Sequence, residues 1–243
     1  PTSAEDMLED MDGKIDGIFD GGPCGVGVES TIIDLTCQPP RLLRAGGLPL
    51  EELERVLGTV LVDKCITQLM TDGERPRAPG MKYRHYAPKA PVTVVTGDGK
   101  NSAAYIAAHA PEGAGVICFS EFRAQFPGCV VHELGPEGDK SEQARRVFDA
   151  LREFDATDVT EIFAQCPDDA GLGLAIGNRL KTAAGFHVVE VERVLTIGIT
   201  GGTGCGKTAF LRCIEARGGV GIDCDALYYE LLRTDGALRT ALT

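Results

Sequence analysis

Four short apolar segments decide the fold of this chain: VTVVT (92–96), GVICFS (115–120), CVVHE (129–133) and VTEIF (159–163). Each is rich in β-branched residues and is bounded by polar or glycine-containing turns, as buried strands are. Helix-like segments separate them, and the last strand is followed by a helix predicted over 172–184. Strands that alternate with helices predict a mostly parallel sheet covered on both faces.

The chain before this region is less regular. Short β-like runs are predicted at 17–19, 27–35 and 41–44, and a helix is predicted over 49–57 with Pro49 in its first turn. Residues 58–90 contain several prolines, which cannot lie inside a helix, so an irregular connector is predicted there.

Composition limits the function classes. The 243 residues carry a net charge of −12, which argues against a broad nucleic-acid-binding surface. No run of eighteen apolar residues occurs, so no membrane span is expected. The nine cysteines are scattered and include no CxxC pair, which favours reduced thiols and a cytoplasmic location.

The segment 197–208 reads IGITGGTGCGKT and has the spacing of a P-loop. Backbone N–H groups around Gly204 and Gly206 are expected to surround the phosphates of ATP, and Lys207 supplies a positive charge. The hydroxyl of Thr208 is suited to Mg²⁺. The sequence therefore predicts the start of a second, P-loop α/β unit after residue 193.

An acidic residue follows the next predicted strand, 219–222. Asp223 is a candidate catalytic base or indirect Mg²⁺ ligand, because ligands bind near the carboxyl ends of strands in such sheets. The alternative for an aspartate before an apolar helix is a helix cap, and Asp225 fits that role.

The N-terminal part carries a second candidate site. Ser30 and Thr31 place hydroxyls beside a glycine-rich turn, and Arg44 precedes two glycines, where it could reach a phosphate. An edge strand with surface hydroxyls and a solvated arginine fits the spacing equally well. The connector adds KYRHY (82–86), whose cations and aromatic rings suit an anionic ligand with a flat base.

Three strings carry a resemblance to a known family: GGPCGVGVESTIIDLT (21–36), LLRAGG (42–47) and APGMKYRHYAP (78–88). They resemble the C-terminal part of the YrdC-like domain, and the linker after it, in threonylcarbamoyl-AMP synthases. Residues 91–192, which end in GLGLAIGNRL followed by a short tail, look like the Rossmann-like C-terminal domain of the two-domain members.

The resemblance implies an activity. These enzymes form threonylcarbamoyl-adenylate and pyrophosphate from threonine, bicarbonate and ATP, and the product serves the t⁶A modification of tRNA, so an indirect link to tRNA-modification proteins is implied. By motif match, Ser30 would contact threonine or ATP and Arg44 the ATP phosphates. Tyr83 would contact the nucleotide, and the linker would close through Lys82, Arg84 and His85. The family's N-terminal half, with its cationic cluster, is not in this sequence, so the chain is expected to be inactive alone.

A second resemblance covers about fifty residues. The P-loop together with GVGIDCDALYYELL (219–232) looks like the N-terminus of dephospho-CoA kinases, which implies Mg-ATP, dephospho-CoA as acceptor and Asp223 as base. Other small-molecule P-loop kinases remain open.

The combined prediction is a synthase fragment fused to a partial kinase. Its parts are a partial YrdC-like domain (1–57), a linker (58–90), the Rossmann-like domain (91–192) and a truncated kinase (193–243). The alternatives are a nucleotide-binding or regulatory module without turnover and, less compatible with the net charge, RNA contact through Arg75, Arg77, Lys82 and Arg84.

Overall fold

The chain forms two compact units, residues 1–193 and 194–243, in a computed structural model. The structure describes residues 3–22, 24–69, 77, 87–191, 197–200, 206–217 and 221. Within these ranges no helix combines the length and the apolar character needed to cross a bilayer.

The first unit is built around a five-stranded sheet. Its strands are β4 (Val92–Thr96), β5 (Gly115–Phe119), β6 (Val130–Gly135), β7 (Ile162–Gln165) and β8 (Val188–Glu190). They lie in the order β6-β5-β7-β4-β8. Every neighbouring pair in this sheet is parallel. The prediction of an α/β fold with a parallel sheet is confirmed, although β8 was not foreseen and β7 begins three residues later than the predicted strand.

Three helices cover the two faces of this sheet: α3 (Gly99–His109), α4 (Lys140–Arg152) and α5 (Gly173–Ala183). The side chains of Asp98 and Asp139 cap α3 and α4 by accepting hydrogen bonds from backbone N–H groups. Short 3₁₀ helices follow β5 (Ser120–Gln125) and α4 (Glu153–Ala156).

The alternation of side chains along the strands divides the core into two clusters. One cluster packs Val94, Ile117 and Ala164 against α4 and α5, and the other packs Val95, Val116 and Phe163 against α3. Because successive side chains of a strand point to opposite faces, α3 lies on one face of the sheet and α4 and α5 lie on the other.

A buried polar side chain ties the sheet to α3. Gln165 is fully buried, and its Oε1 accepts a hydrogen bond from the backbone N–H of Phe119 at 2.9 Å. Its Nε2 donates to the carbonyl of Gly99 at 2.8 Å and to the hydroxyl of Ser102 at 2.9 Å. Since all its groups are satisfied, Gln165 fixes the ends of β5 and β7 against the start of α3.

A smaller sheet of three strands precedes the large one: β1 (Ile32–Asp34), β2 (Arg41–Arg44) and β3 (Leu61–Val62). β1 and β2 are antiparallel and β2 and β3 are parallel. Two helices accompany it, α1 (Ala4–Met11) and α2 (Leu50–Leu57). Arg152 of α4 forms ion pairs with Asp6 at 3.2 Å and Asp10 at 3.3 Å, which fix α1 to the helix layer of the large sheet.

Several local predictions for this part were wrong. Residues 17–19 form no strand, the strand predicted over 27–35 is confined to Ile32–Asp34, and α1 was not foreseen. The connector is not irregular throughout, because it contains β3 and a 3₁₀ turn, Lys64–Ile66. In each case the deciding contacts are made with distant parts of the chain, which local patterns do not report.

In the second unit the described structure is one helix, α6 (Lys207–Glu215). Gly206 precedes it in the left-handed conformation, with φ 87° and ψ 13°. The strand predicted from Ile197 is absent at 197–200. The strand 219–222, described only at Gly221, and the helix after it fall almost wholly outside the described residues.

Candidate functional site

Ser30 and Arg44, singled out in the sequence, are in direct contact. Arg44 Nε donates to the carbonyl oxygen of Ser30 at 2.9 Å, and its Nη2 donates to the Ser30 hydroxyl oxygen at 2.7 Å. Both contacts cross from the end of β2 to the segment that leads into β1, over fourteen residues of sequence. Arg44 is half-buried and Ser30 is exposed, so the pair is both hydrogen-bonded and accessible to solvent.

The backbone around this pair is closely packed because residue 46 is a glycine. A Cβ atom at Gly46 would lie 2.2 Å from the carbonyl oxygen of Glu29 and 2.5 Å from the backbone nitrogen of Thr31. The next residue, Gly47, donates its N–H to the Glu29 carbonyl at 2.9 Å. Glycine therefore permits residues 44–47 to lie against 29–31 at a distance that a side chain would prevent.

The hydroxyl of Thr31 extends this contact beyond the strands. It donates to the carbonyl of Leu48 at 2.9 Å and accepts from the N–H of Leu48 at the same distance. The register of β1 against β2 also shifts between Ile32 and Ile33, where the strand has an irregularity. Ser30 thus lies just outside the regular ladder, where its side chain stays exposed.

Helices α4 and α5 of the large sheet also contact the segment that contains Ser30. Arg179 of α5 is only 6% exposed and forms an ion pair with Glu29, the neighbour of Ser30, at 3.3 Å. Its guanidinium lies 4.0 Å from the ring centre of Phe148. Gly27 packs so closely on α4 that a Cβ would meet the carbonyl oxygen of Ala144 at 2.4 Å. The position of Ser30 is therefore set by α4 and α5 as well as by its own sheet.

The arrangement can bind an anion. Among the described residues, Arg44 Nη1 makes no hydrogen bond, and the Ser30 hydroxyl accepts from Arg44 and keeps its own proton for a further acceptor. Hydrogen bonds from the Thr36 hydroxyl and backbone N–H lower the pKa of Asp34 at the end of β1. A phosphate or carboxylate oxygen could thus receive hydrogen bonds from Arg44 and Ser30 together.

Sequence reasoning missed the residues that hold this pair. Glu29 and Arg179 are 150 residues apart in the chain, so no local pattern joins them. The usable signals were weaker: an acidic residue directly before the two hydroxyl residues, and an arginine in a helix whose other residues are mostly apolar or small. A buried arginine requires a partner, so Arg179 could have been identified as half of an ion pair.

Of the remaining predicted site residues, the structure describes Gly206, Lys207 and Thr208. Lys207 is half-buried and Thr208 is exposed at the start of α6, directly after the left-handed Gly206. Six predicted site residues lie outside the described ranges: Lys82, Tyr83, Arg84, His85, Gly204 and Asp223. No group of three or more His, Cys, Asp or Glu side chains arranged to hold a metal occurs in the part of the chain that the structure describes.

Comparison with known proteins gives a consistent result for the first unit. The family described as threonylcarbamoyl-AMP synthase, C-terminal domain, matches residues 48–185, and a family described as telomere recombination matches residues 1–46. Threonylcarbamoyl-AMP synthase of Pyrococcus abyssi is 44% identical over 198 residues, covering 79% of this chain and 56% of the relative. The Bacillus subtilis enzyme of the same name is 40% identical over 192 residues, covering 78% of this chain and 55% of the relative.

The fold is also found in solved structures. The crystal structure of the Pyrococcus abyssi protein complexed with L-threonine has a TM-score of 0.65 and 41% identity, covering 79% of this chain and 56% of that one. A double-substitution variant of the same protein gives a TM-score of 0.66 and 40% identity, covering 81% and 56%. The chain thus spans about half the length of the curated relatives it matches. Both family matches end before the P-loop.

Proposed function

The chain belongs to the threonylcarbamoyl-AMP synthase family, and we propose that it supplies the Ser30–Arg44 part of such an enzyme's active site. The reaction is the formation of threonylcarbamoyl-adenylate and pyrophosphate from threonine, bicarbonate and ATP, for the t⁶A modification of tRNA. The observation that carries the proposal is the pair of hydrogen bonds between Arg44 and Ser30.

In this proposal Arg44 binds the phosphates of ATP. A guanidinium held through Nε and Nη2 keeps a fixed direction, so it meets the developing charge of the departing pyrophosphate without reorganising. The Ser30 hydroxyl donates to threonine or to ATP. The complex of the Pyrococcus abyssi relative with L-threonine supports threonine as the substrate class.

The other residues and the division into parts are proposed on the family resemblance alone. Tyr83 would contact the nucleotide, and Lys82, Arg84 and His85 would close the linker over it. The proposed parts are 1–57, 58–90, 91–192 and 193–243. A cytoplasmic location is proposed as well, and the seven described cysteines, all of them free thiols, are consistent with it.

A chimeric enzyme tests this function, because the relatives extend over nearly twice the matched length. The chain would be preceded by the N-terminal half of the Pyrococcus abyssi relative, and threonylcarbamoyl-adenylate would be measured by chromatography. Arg44→Ala should lower its formation by about a hundredfold, the loss of a preorganised donor to developing charge. Arg55→Ala, which removes an exposed arginine of α2, is the matched control. Equal activity of the two variants would refute the proposed role.

A second function is proposed for residues 193–243, a partial P-loop kinase resembling dephospho-CoA kinases. The supporting observation is local: Gly206 has a left-handed backbone and α6 begins at Lys207, as a loop that surrounds phosphates before a helix requires. Lys207 would bind the phosphates together with the Gly204 and Gly206 amides. Bound Mg²⁺ would neutralise phosphate charge, with Thr208 as its one described ligand candidate. Asp223 would accept the proton of the acceptor hydroxyl.

The kinase proposal has its own assay. ADP release would be measured with Mg-ATP in the presence and absence of dephospho-CoA, on the chain and on Lys207→Ala. Release that needs both dephospho-CoA and Lys207 supports a kinase. Nucleotide binding with no release would instead favour the alternative, a nucleotide-binding module without turnover.

A further inference from the structure

A cavity of about 750 Å³ opens at the carboxyl ends of the parallel strands in the first unit. Its walls include the residues that follow β4 and β7, together with the last residues of β5 and β8. The volume lies within the range of pockets that hold small organic ligands. Neither Ser30 nor Arg44, the described residues of the proposed synthase site, lines it.

The topology explains why a crevice opens at this place. β4 and β7 are neighbours, but the chain leaves β4 toward α3 on one face of the sheet and leaves β7 toward α5 on the other. Connections that diverge in this way leave a crevice outside the strand ends, and ligands of open α/β sheets bind there. The fully bonded Gln165, directly before the cavity residue Cys166, makes this wall of the crevice rigid.

The walls of the cavity are strongly acidic. They contain five carboxylates and one ammonium group: Asp98, Glu137, Asp168, Asp169, Glu190 and Lys181. Lys181 lies 3.8 Å from Asp169, so its charge is matched within the cavity. Asp168 is paired with Lys140, whose hydrogen bond lowers the pKa of Asp168. An electrostatic excess of negative charge therefore remains for a ligand to neutralise.

The helix that begins at the cavity is not available to a phosphate. Glu137 Oε1 accepts a hydrogen bond from the N–H of Gly99 at 2.9 Å, and Asp98 Oδ1 accepts one from the N–H of Asn101 at 2.9 Å. These are the N–H groups through which a helix N-terminus binds an anion. Because two carboxylates of this chain already occupy them, a phosphate at this end of α3 would meet repulsion instead.

One carboxylate in the cavity wall can use all of its oxygen lone pairs for hydrogen bonds or an ion pair with a ligand. Glu190 ends β8 and is exposed, and its side chain makes no hydrogen bond or ion pair with any other described residue. Apolar side chains contribute to the same cavity wall: Phe119, Pro167 and Phe186. An ammonium or guanidinium group could bind Glu190 while a short carbon chain contacts the rings.

We propose that this cavity binds a small organic cation, an amine or guanidine on a short apolar body, with Glu190 as its anionic contact. This ligand site of the Rossmann-like domain is separate from the site of Ser30 and Arg44. Its negative charge distinguishes it from a nucleotide site, although it occupies the place in the sheet where nucleotides commonly bind.

Agmatine, which has a guanidinium at one end and an amine at the other, is the probe. Its binding to the full chain would be followed by two-dimensional amide NMR at Gly97, Asp98 and Glu190, with 4-guanidinobutyrate and inorganic phosphate titrated in parallel. Agmatine should shift these resonances in a saturable manner, 4-guanidinobutyrate should bind more weakly, and phosphate should leave them unchanged. Glu190→Gln should weaken agmatine about tenfold, the loss of one charge-assisted hydrogen bond.

Glu54→Gln is the matched control, since Glu54 is exposed on α2 and does not line the cavity. Should Glu190→Gln unfold, Glu190→Thr, which keeps a strand-forming residue at the end of β8, provides the same comparison. Equal agmatine affinity in Glu190→Gln and Glu54→Gln would overturn the proposal. Absence of agmatine shifts at these resonances, or phosphate shifts there in their place, would overturn it too.

Discussion

The Ser30–Arg44 site and the P-loop segment carry similar chemistry, but the chain holds them in different ways. Ser30 and Arg44 come from separate segments and are joined by two hydrogen bonds from the Arg44 side chain. The neighbouring Glu29 forms an ion pair with the buried Arg179. Lys207 and Thr208 are consecutive in one helix, and α6 has no buried residue in the described structure.

The difference shows what a local motif does and does not imply. A P-loop can be recognised in a sequence because its residues are adjacent, so the motif is found whether or not a folded domain surrounds it. The Ser30–Arg44 site has little local signal, yet its contacts depend on two sheets and two helices. How easily a site is recognised in the sequence and how firmly the fold holds it are therefore separate properties. Each can be tested in this chain.

Cysteine reactivity should distinguish the two compact units most strongly. Burial raises the pKa of the Cys166 thiol from 9.0 to about 12, whereas Cys213 on α6 is exposed. Three pKa units lower the thiolate fraction by about a thousandfold, so iodoacetamide at pH 8 should alkylate Cys213 long before Cys166. Peptide mass spectrometry over time measures both rates. Equal rates in the folded chain would contradict the account, and equal rates in urea are the control.

Gly46→Ala should give the largest loss of stability near the Ser30–Arg44 site. The added methyl group would lie 2.2 Å from the Glu29 carbonyl oxygen, so the backbone must move and the free energy of unfolding should fall by about 3 kcal/mol. Urea unfolding measures this change. Gly17→Ala, where nothing lies within 4 Å, is the control and should change it little. A Gly46→Ala protein as stable as the control would show that this close approach does not exist.

Arg179→Met should have a somewhat smaller effect on the same region. It removes the guanidinium that pairs with Glu29, and because the Glu29 side chain is 33% exposed the cost is reduced to about 2 kcal/mol. The affinity of the Ser30–Arg44 site for its ligand should fall in the same variant, since Glu29 is next to Ser30. Arg179→Lys, which retains the charge, should recover part of the stability. A Met variant with unchanged unfolding would refute the supporting role of α5.

Phe210→Ala tests the other side of the comparison and should have the smallest effect. Phe210 lies on α6 and is 50% exposed, so its removal should cost no more than about 0.5 kcal/mol. The matched substitution in the first unit is Phe154→Ala. Phe154 is only 2% exposed, and its loss should cost about 4 kcal/mol. A large loss from Phe210→Ala would mean that α6 contributes to a packed core.

The same contrast explains which parts of this structure can be predicted from the sequence. The parallel sheet was predictable because β4, β5 and β6 are apolar runs with clear boundaries, and α2 was predictable because Pro49 marks its start. The short strands β3 and β8 were not, since Leu61–Val62 and Val188–Glu190 become strands only by pairing with β2 and β4.

The candidate site was predictable only in part, for a related reason. Residue chemistry and family resemblance both pointed to Ser30 and Arg44, and the structure brings them together. The contribution of Arg179 could not be found in the same way, because the ion pair with Glu29 exists only after α5 has packed on the sheet. The acidic cavity likewise depends on the strand order, which alternating patterns do not specify.

The most direct test of the central claim is a calorimetric titration of Mg-ATP into Lys207→Ala and into the double variant Lys207→Ala/Arg44→Ala. The first substitution removes the P-loop charge, so any remaining binding reports on the Ser30–Arg44 site. The account predicts binding by the single variant and a loss of at least about tenfold in the double variant. No binding by the single variant, or equal binding by both proteins, would contradict it.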